Sequence, residues 1–255
     1  MERRSFILAA LLGGALLAGG PSLAFAQPQA RSAPPQGLGD MLRRPDVGAQ
    51  APVAARYVVE NLTFTFDRSV PSLRFENGSE IIVLVRQAAP QGGAIYLNDI
   101  GEPVLKVSGL GGMTLFTAQR PQGIPVQFLA VAPPIRLESL RPGVSVSFWM
   151  QGVSSRITRL MGMKRQVAVL VDIDPKTSLN LVIDAITLAE EAFRKNAQRD
   201  RTKVRMGHID TILVKDEGRG PAVRVVGDTL EITIDPAKGL AGRPSSERIA
   251  RALAR

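Results

Sequence analysis

Between Tyr57 and Val131 the chain is a succession of short apolar-alternating runs, each cut off by Gly, Pro or Asn-Gly. That rhythm confines the segment to a fold of many short strands. Leu62, Phe64 and Phe66 point one way while Thr63, Thr65 and Asp67 point the other, the pattern of a half-buried strand. Further strands are expected from Leu73 and over 80–86, 94–98, 103–107, 113–117, 126–131 and 144–150, with the unbroken apolar run 81–85 as a central strand. Gly109-Leu110-Gly111-Gly112 is followed by another strand-like run, not by a Gly-Lys-Ser/Thr helix start. It reads as a tight connection rather than a phosphate loop. A sandwich or a partly closed barrel is the expected architecture.

The later part of the chain adds helix. Gln166 to Asp174 reads as a strand stopped by Pro175. Leu179, Val182, Ile183, Ile186, Ala189 and Phe193 then recur at helical spacing, with Thr177 or Ser178 as the start signal. Strands over 209–215, 222–226 and 229–234 follow, the last two joined by the tight hairpin pair Gly227-Asp228, and a short helix over 246–253 ends the chain. The fold class is therefore α+β: mostly antiparallel β, one long helix and a C-terminal β-meander. Residues 57–255 form one domain, with a sub-boundary near 175.

Composition removes whole classes of chemistry. With no Cys, the chain has no disulfide framework, thiolate nucleophile or Cys-ligated cluster; with one His, it has no multi-histidine metal site. No metal or other cofactor is expected. The remaining candidates are few. Asp172 and Asp174 lie two apart at a strand end and so share a face, where paired carboxylates could divide acid and base roles; as turn and cap residues they need no such role. His208, with Asp210 two residues on, is the sole imidazole, but no G-x-S-x-G elbow accompanies it. Candidate binding residues are Arg194, Lys195, Arg199, Arg201, Lys203 and Arg205, a run interrupted by one acid, Asp200.

Met1 to Ala26 reads as an export signal: Arg3-Arg4, an apolar stretch from Phe6 to about Leu17, and Ala24-Phe25-Ala26 as the cleavage site. Both a general secretory and a twin-arginine route fit it. Residues 27–56, rich in Pro, Gln and Ala, read as a disordered linker. No later run is long and apolar enough for a transmembrane helix, so the expected product is periplasmic or secreted. The net charge of +9 is unevenly placed: residues 151–255 carry 19 basic and 13 acidic side chains, residues 27–150 only 11 and 9. An anionic envelope component is the matching partner. Nucleic acid is not expected, because no aromatics interleave the arginines.

Several segments together resemble a known group. They are Phe64-Thr65-Phe66-Asp67-Arg68-Ser69, Asn98-Asp99-Ile100-Gly101-Glu102-Pro103, Gly111-Gly112-Met113-Thr114 and Ala241-Gly242-Arg243-Pro244-Ser245-Ser246. The chain resembles an uncharacterised family of exported bacterial proteins, a domain of unknown function. The likeness implies one integrated exported domain and no activity. Two functional expectations follow. The first is a non-enzymatic envelope binding or scaffolding module; the alternative is a periplasmic hydrolase working through carboxylates.

Overall fold

A computed structural model describes residues 52–197 and 206–255. The expected signal and nearly all of the expected linker lie outside the described residues. The first strand, β1 (Ala54–Val59), begins inside the segment read as linker. It opens an antiparallel series: β2 (Leu62–Asp67), β3 (Ser72–Phe75), β4 (Ile81–Val83), β5 (Val85–Ala88), β6 (Ala94–Leu97), β7 (Pro103–Val107), β8 (Met113–Thr117) and β9 (Arg120–Val131). Their order in the sheet is β4-β3-β2-β1-β9-β8-β7-β6-β5.

That order almost closes a barrel. The two edge strands, β4 and β5, are consecutive in the chain and separated by Leu84 alone. The chain therefore passes from one edge of the sheet to the other in a single residue, which requires the edges to curl together. Leu84 is buried, and its N–H donates to the Pro71 carbonyl at 2.8 Å. The expected central strand over 80–86 is thus corrected to two edge strands. Its apolar run is covered from two directions: Leu84 belongs to the barrel core, while the Ile81 carbonyl accepts from Arg243 of the C-terminal layer.

Side chains fill the barrel. Tyr57 stacks on Phe64 with ring centroids 5.6 Å apart, Phe66 meets Tyr96 edge-on at 5.0 Å, and Leu73, Leu105 and Leu115 complete the interior. The Gly109–Gly112 stretch is the tight β7–β8 connection. Gly111 has φ 85°, and a Cβ on Gly109 would stand 2.0 Å from the Gln91 carbonyl oxygen.

The C-terminal layer starts with a helix where a strand over 144–150 was expected. This helix, α1, is Val146–Met161; Ser145 Oγ accepts from the Phe148 N–H at 3.2 Å, and Gly162 ends it at φ 64°. Val144-Ser145-Val146-Ser147-Phe148 alternates with period two, but Val153, Ile157 and Met161 continue at helical spacing and bury against the core, so the longer period wins. β10 (Ala168–Asp172) follows, then α2 (Leu179–Ala197), β11 (Thr211–Asp216), β12 (Ala222–Val226), β13 (Thr229–Ile234) and α3 (Ser246–Leu253).

The second sheet has the order β10-β11-β13-β12 and is mixed: β11 pairs in parallel with both β10 and β13, and β12 with β13 is the expected hairpin. The class is α+β, mostly antiparallel, as expected; the last three strands are not a simple meander, because β13 returns to lie beside β11. Ile212, Val214, Leu230 and Ile232 pack with Ile157, Ile186, Phe193 and Ile249 of the helices. On the opposite face Glu231 lies between Lys215, at 3.1 Å, and Arg224. Among the described residues no helix is long and apolar enough to cross a membrane.

Candidate functional site

The residues singled out for chemistry do not come together. Asp172 and Asp174 are exposed. Asp174 is a turn residue, its Oδ1 accepting from the Lys176 N–H at 2.8 Å and its carbonyl from the Thr177 N–H at 2.8 Å. His208 is exposed in a turn closed by the Ile209 N–H to the Met206 carbonyl. Asp210 accepts from the Thr211 hydroxyl at 2.9 Å. Of the basic run, Arg199, Arg201, Lys203 and Arg205 lie outside the described residues. Arg194 pairs with Glu190 and Glu191. Lys195 is engaged elsewhere.

That engagement marks the densest polar cluster described, at the junction of barrel and C-terminal layer. It is assembled from the start of α3. Asp235, Pro236 and Gly242 shape the approach: the Asp235 N–H donates to the Gly242 carbonyl at 2.6 Å, so close that a Cβ on Gly242 would sit 1.9 Å from the Asp235 oxygen. The turn delivers Arg243 into the interior, where it bonds Asp184 of α2 and donates to the Ile81 carbonyl of β4 at 2.6 Å. Burial pushes the Asp184 carboxyl above its ordinary range, and the Arg243 guanidinium opposes that shift.

Two carboxylates from the barrel then receive the helix start. Asp99 accepts from the Ser245 N–H at 2.9 Å and from its hydroxyl at 2.5 Å, while Ser245 Oγ caps α3 by accepting from the Arg248 N–H. Glu80 accepts from the Ser246 N–H at 3.0 Å and from its hydroxyl. Both suit the positive end of the helix dipole. The Lys195 ammonium donates to Ser246 Oγ at 2.7 Å and lies 3.4 Å from Glu80. Arg251 of α3 pairs with Glu102 at the barrel rim. Segments more than 140 residues apart, Asn98–Glu102 and Arg243–Ser246, thus meet at one clasp.

Beside this clasp lies a cleft of about 600 Å³. Phe75, Ile82, Val104 and Phe116 of the barrel form its apolar wall; Glu80, Glu102, Lys195, Glu247 and Arg251 are charged groups on its boundary. A lysine beside a serine hydroxyl is a recognised arrangement for nucleophilic catalysis. Here, however, Ser246 is fully buried and both its N–H and its hydroxyl are given to Glu80. The Glu80 carboxylate thus holds both donors of Ser246. Sequence reasoning named Lys195 only as part of a basic run, Ser245, Asp99 and Arg243 only through the resemblance, and Ser246 through the resemblance and as the start of the last helix. The one local signal was Ser245 just before a helical run.

A smaller concavity of about 170 Å³ is lined by Asp184 and Glu138 together with Arg74 and Trp149. Among the described residues no three His, Cys, Asp or Glu side chains are grouped to hold a metal. Compared with known proteins, the chain matches the family described as Domain of unknown function (DUF4908) over residues 37–253. No curated protein and no solved structure matches it.

Proposed function

The chain belongs to that family of unknown function, and we propose that it is an exported, non-enzymatic binding or scaffolding module of the bacterial envelope, with the cleft beside the clasp as its ligand site. The observation that carries this reading is the state of the polar groups there. Ser246, Glu80 and Lys195 are bonded to one another and Arg251 to Glu102, which leaves an apolar wall with a fixed charged boundary. Such surroundings suit recognition. The export signal read at residues 1–26 and the basic excess after residue 150 support an envelope setting and an anionic partner.

Co-sedimentation of the processed protein with isolated envelopes, with dextran sulfate beads as an anionic probe, tests the reading. Retention is expected, weakened by Phe116→Ala in the cleft wall. Recovery of all the protein in the supernatant from both would overturn it.

The hydrolase alternative draws on one observation, the raised carboxyl of Asp184 in a concavity shared with Glu138. Turnover of glycoside substrates that is lost in Asp184→Asn, in protein shown to remain folded, would put it in place of the binding reading.

A further inference from the structure

β10 is an edge strand, and apart from Asp172 at its end its sequence does little to protect that edge. Edge strands are ordinarily blunted by charge, proline, a bulge or a covering element. Ala168-Val169-Leu170-Val171 has no charge or proline, its pairing with β11 runs without a register shift, and Leu170 is 51% exposed. A helix flanks each edge of this sheet: α3 lies next to β12 and α1 next to β10. Alongside β10 runs a trough of about 470 Å³, bounded by Met150, Gln151 and Ser154 of α1 and by Val167 and Leu170.

The backbone groups that face this edge can be identified. The Ala168 N–H donates to the Asp210 carbonyl, toward β11, at 2.7 Å. Successive residues of a strand turn their N–H and C=O groups to opposite sides, so those of Val169 and Val171 face outward. Val167 also faces outward, but α1 has already engaged it: its N–H donates to Thr158 Oγ1 at 2.9 Å and its carbonyl accepts from the Ser154 hydroxyl. What remains is a pair of residues two apart, the spacing of one hydrogen-bonded ring in an antiparallel ladder.

Charge indicates the occupant. The strand is preceded by Lys164 and Arg165 and ends in Asp172 and Asp174; among the described residues none of these four is in an ion pair. A second copy laid antiparallel sets the basic start of one strand beside the acidic end of the other, whereas parallel alignment would set like charges together. The chain turns at Asp174–Thr177, which takes Lys176 off the strand line.

We propose that two copies of this chain join along β10, antiparallel, about a two-fold axis at Leu170. Val169 of each copy exchanges backbone hydrogen bonds with Val171 of the other, Leu170 packs on its own counterpart, and Ala168 lies opposite Asp172. The two four-stranded sheets become one eight-stranded sheet, and the interface is isologous, so assembly stops at the dimer.

The absence of cysteine gives a clean test. At a non-hydrogen-bonded antiparallel pair the Cα atoms are about 4.5 Å apart, within the range a disulfide spans. Leu170→Cys in the full chain should therefore cross-link to a covalent dimer under mild oxidation, and Val226→Cys, 52% exposed on β12, should lag far behind. In analytical ultracentrifugation the unaltered protein should show twice the mass of Leu170→Lys, with unchanged far-ultraviolet circular dichroism. A single-chain mass for the unaltered protein, a dimer that survives Leu170→Lys, or a Leu170→Cys cross-linking rate no greater than that of Val226→Cys would each overturn the proposal.

Discussion

Glu231 stands in the middle of the open face of the C-terminal sheet, between Lys215 and Arg224, and its surroundings have a measurable consequence. Hydrogen bonds from Arg224 and then Lys215 hold its carboxyl below the ordinary glutamate range. A carboxyl depressed in the folded state contributes stability above its unfolded pKa and loses it as pH falls through the folded value. The urea midpoint should therefore decline on acidification below the ordinary carboxylate range, and Glu231→Gln should flatten that decline while lowering the midpoint at neutral pH. Because the face is open to solvent, the effect is modest. A midpoint as pH-dependent in Glu231→Gln as in the parent would count against this account. The two-residue Gly227-Asp228 turn expected from the sequence sets Arg224 opposite Glu231, whereas nothing local in the sequence brings Lys215 of β11 to the same carboxylate.

At the scale of elements, Arg243 joins three of them: the turn before α3, Asp184 on α2 and the Ile81 carbonyl on β4. Its side chain is almost wholly removed from solvent. Removing one partner of a buried pair leaves the other charge uncompensated, at a cost of about 3–5 kcal/mol. Arg243→Met should lose about that much at neutral pH. The loss should shrink in acid. The Asp184 carboxyl is already raised by burial, so its contribution is most favourable below the unfolded pKa and declines as pH rises through the folded one. Without Arg243 that decline steepens, and Asp184→Asn added to Arg243→Met should recover part of the neutral-pH loss. Chemical denaturation across pH reads all three outcomes.

Element boundaries in the sequence were clearest where period, cap and stop agreed. β7, β8, β12, β13 and α3 have the limits their runs and punctuation predict, and Ser245 caps α3. The failures share a cause. Val144–Met150 alternates like a strand yet starts α1, and Ile81–Val85 is apolar throughout yet is split between two sheet edges. In each case a short local pattern fits two structures, and contacts far along the chain choose between them.

For the whole molecule, the clasp joins the barrel to the C-terminal layer. Asp99 and Glu80 each accept two hydrogen bonds from the start of α3, and Lys195 closes the cluster from α2. Asp99→Asn with Glu80→Gln removes the charge from the acceptors while keeping their shape. Charge-assisted hydrogen bonds are about twice as strong as neutral ones, so the double variant should speed amide hydrogen exchange along α3. The barrel core around Phe64 and Leu115 should keep its protection. Equal acceleration in both regions would mean that the clasp supports global stability rather than the junction.

By itself the sequence determined the strand-rich class, the positions of most elements, the absence of thiol and multi-histidine chemistry, and a charge excess in the second half of the chain. These depend on local periodicity, turn chemistry and composition, which are properties of residues close together in the chain. Only the tertiary structure decided that the first sheet curls almost shut across Leu84, that side chains fill it, and that Ser245, Ser246, Asp99, Glu80 and Lys195 form a clasp beside a cleft. Those features depend on contacts spanning up to 166 residues, as between Glu80 and Ser246, and no local pattern encodes which distant partner a carboxylate will meet.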